Sequence, residues 1–195
     1  PEYNGVKLFA YGGKLSDADE EEVEQLLDAD APGGGTVQPL GGVGARYLEH
    51  VVEHFGSRLS GLRIGVDCAN GAFSELGPAA FTQLGAEVHP IGVDPDGTNI
   101  NVGCGATDLS ALRGLVVDRG LDLGVAFDGD GDRMLAVDER GEAVDGDQIL
   151  SILAPALGVD VVAVTVMTNL GFHRLMAEQG IRVVTTPVGD RYVLE

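Results

Sequence analysis

Short apolar runs alternate with amphipathic stretches along most of the chain. The runs, rich in Val, Leu and Ile, predict buried strands, and the stretches whose apolar residues recur every three to four positions predict helices. The predicted strands are 62–66, 88–91, 123–127, 134–137, 161–166 and 182–185, and the predicted helices are 44–55, 73–84, 109–119, 148–157 and 170–179. Strands that alternate with helices of this length predict an α/β fold with mainly parallel, mixed sheets flanked by helices.

The first forty residues follow a different pattern. Residues 6–9 predict an extended segment, and Ser16 followed by Asp19 predicts the capped start of an acidic helix. Residues 31–44 are rich in Gly and Pro, which is typical of a linker. We therefore expect a boundary near residue 40.

The order of elements in the middle of the chain begins again near residue 161. In both places a strand is followed by Asn, Gly, a helix, Gly and a second strand, with Asn70 in the first copy and Asn169 in the second. The repetition predicts repeated domains of one fold. The second copy contains one βαβ unit, so we expect a fold that is cut at both ends.

Charge and composition exclude several classes of partner. The chain has 12 basic and 31 acidic residues and a net charge of −19, so nucleic acid and anionic membranes would repel it. Its longest apolar run, 161–166, is far shorter than the roughly 20 residues that cross a bilayer. Cys68 and Cys104 match no zinc or redox spacing, which favours a reducing, cytoplasmic compartment. No oligomeric state is predicted.

One motif stands directly after the apolar strand 123–127. Residues 128–133 read Asp-Gly-Asp-Gly-Asp-Arg, and the glycines let the backbone curl so that three carboxylates can converge on one hard cation. Crowded carboxylates resist joint ionisation unless a cation offsets them, and Mg²⁺ suits a site that keeps positions open for water or phosphate. Arg133 supplies a fork for phosphate oxygens. The predicted metal ligands are Asp128, Asp130 and Asp132.

Three other interpretations of this motif fit part of its residues. A polar hairpin turn needs one Asp-Gly pair, and here there are two. An EF-hand loop would use Glu139 as its last ligand, but Arg133 stands where that loop requires Gly. A haloacid-dehalogenase-type phosphatase would use Asp128 as nucleophile and Asp130 as acid/base, although that family has Thr or Val where Asp132 stands. This last alternative stays open.

Two weaker signals lie elsewhere. His50-Val51-Val52-Glu53-His54 matches an inverted zinc-peptidase pattern, but we interpret it as an exposed helix face. Gly189, Asp190 and Arg191 follow a strand end, where the ligand-facing loops of α/β sheets lie. Arg191 there could hold a phosphate, and a surface turn is the alternative.

Together these residues resemble the α-D-phosphohexomutase superfamily, most closely its bacterial phosphoglucosamine mutase branch. The resemblance covers the whole chain and is carried by Asn4-Gly5-Val6-Lys7, by 128–133 and by 188–193. Softer marks of the branch are 96–101, 103–107 and 164–171. The family usually has Ser where Ala106 and Thr168 stand.

The resemblance implies an isomerase whose phosphorylated serine gives its phosphoryl group to a hexose monophosphate, forms a bisphosphate and recovers a phosphate. Mg²⁺ would be held by the three aspartates and a phosphoserine oxygen. Arg133 would steady the transferring group, and Lys7 would be a general acid/base at the sugar hydroxyl. Gly189, Asp190 and Arg191 would line the sugar-phosphate cleft.

The resemblance also implies a four-domain organisation. Residues 1–40 would be the tail of the first domain and a linker, 41–157 the complete second domain with the metal loop, and 158–195 the start of the third. The family's Ser-His-Asn-Pro loop is not among these residues. We therefore expect the chain alone to be inactive.

The expected reaction interconverts glucosamine 6-phosphate and glucosamine 1-phosphate for amino-sugar synthesis. The loop that distinguishes sugars in the family is not in this sequence, so glucose and mannose phosphates remain alternatives. A non-catalytic module that binds a metal or a phosphosugar is a further alternative.

Overall fold

The computed structural model describes residues 8–10, 12–27, 33–36, 38–56 and 59–194. Contacts divide the chain into two compact units, 1–46 and 47–195, and each is described by itself.

The first unit contains a small hairpin and an acidic helix. Strand β1 (Phe9–Ala10) pairs antiparallel with β2 (Gly13–Lys14), and helix α1 spans Asp17–Gln25. Ser16 caps α1 as predicted: its hydroxyl accepts a hydrogen bond from the Asp19 amide at 3.2 Å, and the Asp19 carboxylate accepts one from the Ser16 amide at 3.2 Å. The hydrogen bond that the Ser16 hydroxyl donates to this carboxylate is the main reason that the pKa of Asp19 lies below its usual value. The cap therefore stabilises α1 although the helix buries none of its residues.

Strands and helices alternate through the second unit, which confirms the α/β class. Helix α2 (Val43–Phe55) has its first four residues in the first unit and the rest in the second. The further elements are β3 (Arg63–Asp67), α3 (Leu76–Gln83), β4 (Glu87–Ile91), a 3-10 turn (Gly105–Thr107), α4 (Ser110–Arg119), β5 (Leu123–Phe127), β6 (Met134–Asp138), β7 (Ala143–Val144), α5 (Gly146–Leu157), β8 (Val161–Thr165), α6 (Leu170–Glu178), β9 (Arg182–Thr186) and α7 (Asp190–Leu194). None of the helices among the described residues is both long and apolar enough to cross a bilayer.

Two sheets form from these strands. The larger has the order β4-β3-β5-β6-β7, in which β3 is parallel to β4 and β5, whereas β6 is antiparallel to β5 and β7 antiparallel to β6. The smaller pairs β8 with β9 in parallel. Residues 128–133 connect β5 to β6, and a connection this short permits only an antiparallel hairpin, since a parallel crossover needs a dozen residues or more.

The parallel strands all end at one edge of the larger sheet. Asp67, the last residue of β3, pairs in register with Ile91 of β4 and with Ala126 of β5. The loops that follow these three strands therefore leave the sheet side by side. Loops at this edge are where ligands bind in open α/β sheets.

Two strand glycines let helix α4 pack closely on the sheet. Gly65 of β3 and Gly124 of β5 pair in register beneath it. A Cβ built on either glycine would lie 2.9 Å from an atom of Leu112, which is fully buried on α4. Glycine in a strand interior often marks such a close approach, so these two residues set the distance between helix and sheet.

The core divides between the two faces of the larger sheet. Alternation along the strands sends Ile64, Val66 and Val125 to one face, where Phe73, Phe81 and Phe127 pack against them. The opposite face buries Ala126 and Val137 against Leu112 and Val116 of α4 and against Leu121, two residues after the helix ends. A third cluster packs α6 against the smaller sheet, through Val164, Phe172, Met176 and Ile181.

Helix α3 begins at Leu76, so the predicted start at residue 73 is wrong. Ala69 and Asn70 have positive φ angles of 55° and 49°, which turn the chain sharply after β3. Phe73 falls in the turns that follow, although its position fits the helical period. Apolar periodicity alone therefore could not separate the turn from the helix.

Helix α5 begins at Gly146 rather than at the predicted residue 148. Asp145 and Gln148 form a capping box, with the Gln148 amide donating to Asp145 at 2.9 Å and the Asp145 amide donating to Gln148 at 2.9 Å. This pattern was present in the sequence and marks the helix start. The short elements β7 and α7 were not predicted.

Replacement of Gly124 by Ala tests the close approach of α4. The new methyl group would press on Leu112 and Val116, so we expect the free energy of unfolding to fall by about 1–3 kcal/mol. Gly114→Ala is the matched control, because Gly114 lies on the exposed side of α4 with open space around it, and there Ala should add about 0.5–1 kcal/mol. Urea denaturation measures both changes, and equal effects of the two substitutions would contradict the packing described here.

Candidate functional site

The three aspartates of residues 128–133, here called the acidic loop, come together at the end of β5. Oxygens of Asp128, Asp130 and Asp132 lie within 4.8 Å of one another. In the described part of the chain, no other group of three His, Cys, Asp or Glu side chains meets this distance. The Asp128 side chain is only 15% exposed, whereas Asp130 and Asp132 are open to solvent. The three residues could therefore hold a metal ion while leaving part of its coordination sphere open.

Asp128 organises the backbone of the acidic loop. One carboxylate oxygen accepts hydrogen bonds from the amides of Gly131 and Arg133, each at 3.1 Å. The Asp128 carbonyl accepts a further bond from the Gly131 amide at 3.1 Å, and the Asp128 amide donates to the Arg133 carbonyl at 3.2 Å. The second carboxylate oxygen takes none of these backbone bonds. Asp128 thus closes the loop with one carboxylate oxygen, and the other lies 3.4 Å from the Arg133 Nε atom.

The glycines of the acidic loop are required by close packing. Gly131 has a φ of +76°, and a Cβ on this residue would overlap the ring of Phe73. A Cβ on Gly129 would lie 2.7 Å from the Asn101 side-chain nitrogen and 2.8 Å from Ile100. The loop is therefore packed against its neighbours on both sides.

Neighbouring strand-end loops support the acidic loop. The Ala72 amide, after β3, donates to the Gly129 carbonyl at 2.9 Å. Beneath it, the rings of Phe73 and Phe127 stack with their centroids 5.1 Å apart. The Asn101 amide, after β4, donates to the Ala69 carbonyl at 2.9 Å. The geometry of the aspartates thus depends on residues that are distant in sequence.

Arg133 lies beside the carboxylates and is 82% exposed. Its Nε atom is 3.4 Å from an oxygen of Asp128 and 3.4 Å from an oxygen of Asp132. Three ionised carboxylates beside one guanidinium carry a net formal charge of −2. The loop is therefore matched in charge to a divalent cation.

Asp67 was not identified from the sequence as a residue of interest. It ends β3, its side chain is fully buried, and both carboxylate oxygens accept backbone hydrogen bonds, from Ala69 at 3.0 Å and from Gly105 at 2.8 Å. The signal available in the sequence was an acidic residue inside an apolar run. Its partner at residue 105 could not be inferred from spacing.

Two thiols lie near this buried carboxylate. Burial, followed by the negative charge of Asp67, raises the pKa of the Cys68 thiol to about 12. Burial is also the main cause that raises the pKa of Cys104. Both thiols are free and are protonated at neutral pH, so neither is suited to act as a nucleophile.

The other residues singled out from the sequence are less fully described. Lys7 lies outside the described residues. Gly189 forms a turn with a φ of +143°, and Asp190 and Arg191 then begin helix α7, where the sequence was interpreted as a loop. The polar residues that follow Gly189 favoured a loop over this short helix in the sequence interpretation.

The histidine pattern on α2 behaves as an exposed helix face. The rings of His50 and His54 stack with centroids 6.1 Å apart, and both residues are exposed. These two histidines and Glu53 do not form a three-ligand group, and the one such group among the described residues is that of the three aspartates.

An open cavity of about 610 Å³ lies beside the loops that follow β4. Its lining includes Asn70, Asp94 and Cys104 but none of the acidic-loop residues. We place the candidate site at the acidic loop, since convergent carboxylates specify a ligand chemistry and an open, largely apolar cleft does not.

Family models identify the chain. The phosphoglucomutase/phosphomannomutase alpha/beta/alpha domain II model matches residues 45–141, and the domain III model of the same family matches residues 145–195. The chain belongs to the phosphoglucomutase/phosphomannomutase family, which confirms the resemblance inferred from its motifs.

Within this family, the chain is similar to curated phosphoglucosamine mutases. The chain is 49% identical to a phosphoglucosamine mutase of Nocardia farcinica and 50% identical to one of Rhodococcus erythropolis, and in each case the match covers 98% of this chain. It covers 48% and 46% of those two proteins, so the chain spans about half the length of the relatives it matches. These similarities do not favour a haloacid-dehalogenase-type phosphatase or a non-catalytic module.

Solved structures show the same fold. A phosphoglucomutase/phosphomannomutase family protein from Burkholderia thailandensis and a putative phosphomannomutase from Thermus thermophilus each superpose with a TM-score of 0.74 at 23% identity. The matches cover 91% of this chain and 40% and 44% of those chains.

Replacement of Gly131 by Ala tests the packing of the acidic loop. Ala at a positive φ costs about 1–2 kcal/mol, and overlap with Phe73 should add about 1–3 kcal/mol. Gly97→Ala is the matched control, because Gly97 also has a positive φ (+87°) but open space around it. Urea denaturation should show a larger loss for Gly131→Ala, and equal losses would refute the packing against Phe73.

The buried thiol of Cys68 predicts a loss of stability at alkaline pH. Its folded pKa of about 12 lies above the roughly 8.5 of an unfolded thiol, so the folded state retains a proton that the unfolded state releases. The free energy of unfolding that this proton contributes is fully present below about pH 8.5 and is lost as pH rises toward 12. Urea denaturation at pH 8 and pH 10 should show a steeper decline for the native sequence than for Cys68→Ala, and parallel declines would count against it.

Proposed function

We propose that this chain carries the metal-binding part of a phosphoglucosamine mutase, which interconverts glucosamine 6-phosphate and glucosamine 1-phosphate through a phosphoserine and a bisphosphate. The observation that carries the proposal is the convergence of Asp128, Asp130 and Asp132 within 4.8 Å, in a chain about half identical to proteins of that name. Because the chain spans about half of those relatives, the activity is proposed for the protein that contains it.

We infer that the ion is Mg²⁺, held by the three aspartates. The donors are hard carboxylate oxygens, the loop carries a formal charge of −2 and two of its aspartates face solvent, which together fit an ion that keeps open positions. When bound, Mg²⁺ stabilises the negative charge that develops on a transferring phosphoryl group. Asp128 supports this role by holding the loop closed through its backbone hydrogen bonds.

The remaining roles follow from the family resemblance. Arg133 is exposed beside the carboxylates, so its guanidinium can donate hydrogen bonds to phosphate oxygens. Lys7 would act as general acid/base at a sugar hydroxyl. Gly189, Asp190 and Arg191 would contact the sugar phosphate.

We also propose the division into residues 1–40, 41–157 and 158–195 as parts of three successive domains. The break between the five-stranded sheet and the β8–β9 sheet supports the second boundary. The two buried free thiols suit a reducing compartment, and on that ground we propose a cytoplasmic location.

Phosphorus NMR tests the proposed reaction. The full-length protein that contains this chain is incubated with glucosamine 6-phosphate, Mg²⁺ and a trace of bisphosphate. Parallel reactions use glucose phosphate and mannose phosphate as substrates. We expect the 1-phosphate to form fastest from the amino sugar and Asp130→Asn to slow it at least about 100-fold, because the variant lowers the charge that holds the ion. The 195-residue chain alone should show no turnover.

The control for that experiment is Asp118→Asn, which removes a carboxylate from an exposed position on α4 and should leave the rate unchanged. Release of inorganic phosphate without isomerisation would identify a phosphatase instead. Faster turnover of glucose or mannose phosphate would reassign the substrate within the family.

A further inference from the structure

Asp67 is buried more completely than any other charged side chain in the described part of the chain. Its carboxylate is 0% exposed and ends β3 at the edge of the sheet from which the acidic loop also leaves. A buried carboxylate is costly unless its oxygens are hydrogen-bonded, and here each oxygen accepts one backbone amide. The arrangement therefore fixes those two amides firmly.

The two amides belong to different loops. The Ala69 amide, in the loop after β3, donates to one oxygen at 3.0 Å, and the Gly105 amide, between β4 and α4, donates to the other at 2.8 Å. The Asn101 amide donates to the Ala69 carbonyl at 2.9 Å, which joins the loops a second time. Asp67 is thus the buried link between two segments that are 36 residues apart in sequence.

Both segments press on the acidic loop. From the first, the Ala72 amide donates to the Gly129 carbonyl at 2.9 Å. From the second, Ile100 and Asn101 lie so close to Gly129 that a Cβ there would be 2.8 Å and 2.7 Å from them. A Cβ on Gly105 would lie 2.5 Å from the carbonyl oxygen of Phe127, the residue before Asp128. The position of the acidic loop is set by contacts that Asp67 holds in place.

We propose that Asp67 is a positioning residue of the metal site, because its buried carboxylate holds together the two loops that fix Gly129 and, through it, the spacing of the three aspartates. The inference rests on the proposed function, since it requires that the acidic loop bind a divalent cation. Asn at this position has the same size but offers one acceptor and one donor, so it can receive only one of the two amides.

Manganese titration of the 195-residue chain, followed by electron paramagnetic resonance, tests this inference. The native chain should bind Mn²⁺, and Asp67→Asn should raise its dissociation constant about tenfold, as loss of a supporting group outside the ligand set commonly does. Ile64→Val is the matched control: Ile64 is buried on the same strand, so the substitution weakens the core without touching the carboxylate, and the dissociation constant should not change.

Amide hydrogen exchange separates positioning from general destabilisation. In Asp67→Asn, the amides of Ala72 and Gly131 should exchange faster although neither contacts Asp67, while the amide of Val125 in β5 should keep its rate. A purely structural role would instead accelerate the amides that open by global unfolding, Val125 among them. That result would overturn the inference.

A second variant decides the matter if Asp67→Asn does not fold. Asn101 has a φ of +59°, which Gly adopts freely, so Asn101→Gly removes the side chain that presses on Gly129 without straining the backbone. We expect it to weaken Mn²⁺ binding several-fold, and native affinity in this variant would overturn the inference.

The outcomes also distinguish the two proposals. Asp130→Asn should abolish measurable Mn²⁺ binding under the same conditions. If the native chain and Asp130→Asn bind Mn²⁺ equally, the proposed metal site is wrong and the inference falls with it. If Asp130→Asn loses binding while Asp67→Asn and Asn101→Gly retain native affinity, the metal site stands and only the role of Asp67 is refuted.

Discussion

Repulsion among three carboxylates is the constraint on which the site depends. Asp128, Asp130 and Asp132 lie within 4.8 Å of one another, and their charges favour spreading apart unless a cation or a rigid frame opposes it. Arg133 offsets one charge, and packing around Gly129 and Gly131 supplies the frame. The same frame keeps the three carboxylates close enough together that they could hold a metal ion.

The sequence predicted the fold where one periodicity dominates. Strand β5 has the predicted bounds of 123–127, and most of the other long elements differ from prediction by one residue at an end. The start of helix α3 was predicted wrongly because Phe73 fits the helical period, although it packs against the core from a turn that precedes the helix. The antiparallel direction of β6 relative to β5 follows from the shortness of the acidic loop, which can be read from the sequence.

Only part of the candidate site could be predicted from the sequence. The three aspartates lie within five consecutive residues, so a local motif identified them. Asp67 was missed because its meaning comes from Gly105, and that pairing depends on how the chain returns after β4. Local patterns thus revealed the side chains that could touch a ligand, whereas the residues that hold them became apparent only in three dimensions.

The register of the β5–β6 hairpin restricts how this part of the protein can vary. Phe127 pairs with Met134, so the acidic loop contains six residues between fixed strand positions. An insertion or deletion of one residue that shifted β6 would turn the buried Val137 toward the opposite face of the sheet. Changes of loop length that shift β6 by an odd number of residues are therefore disfavoured, whereas substitutions within the loop leave the register unchanged.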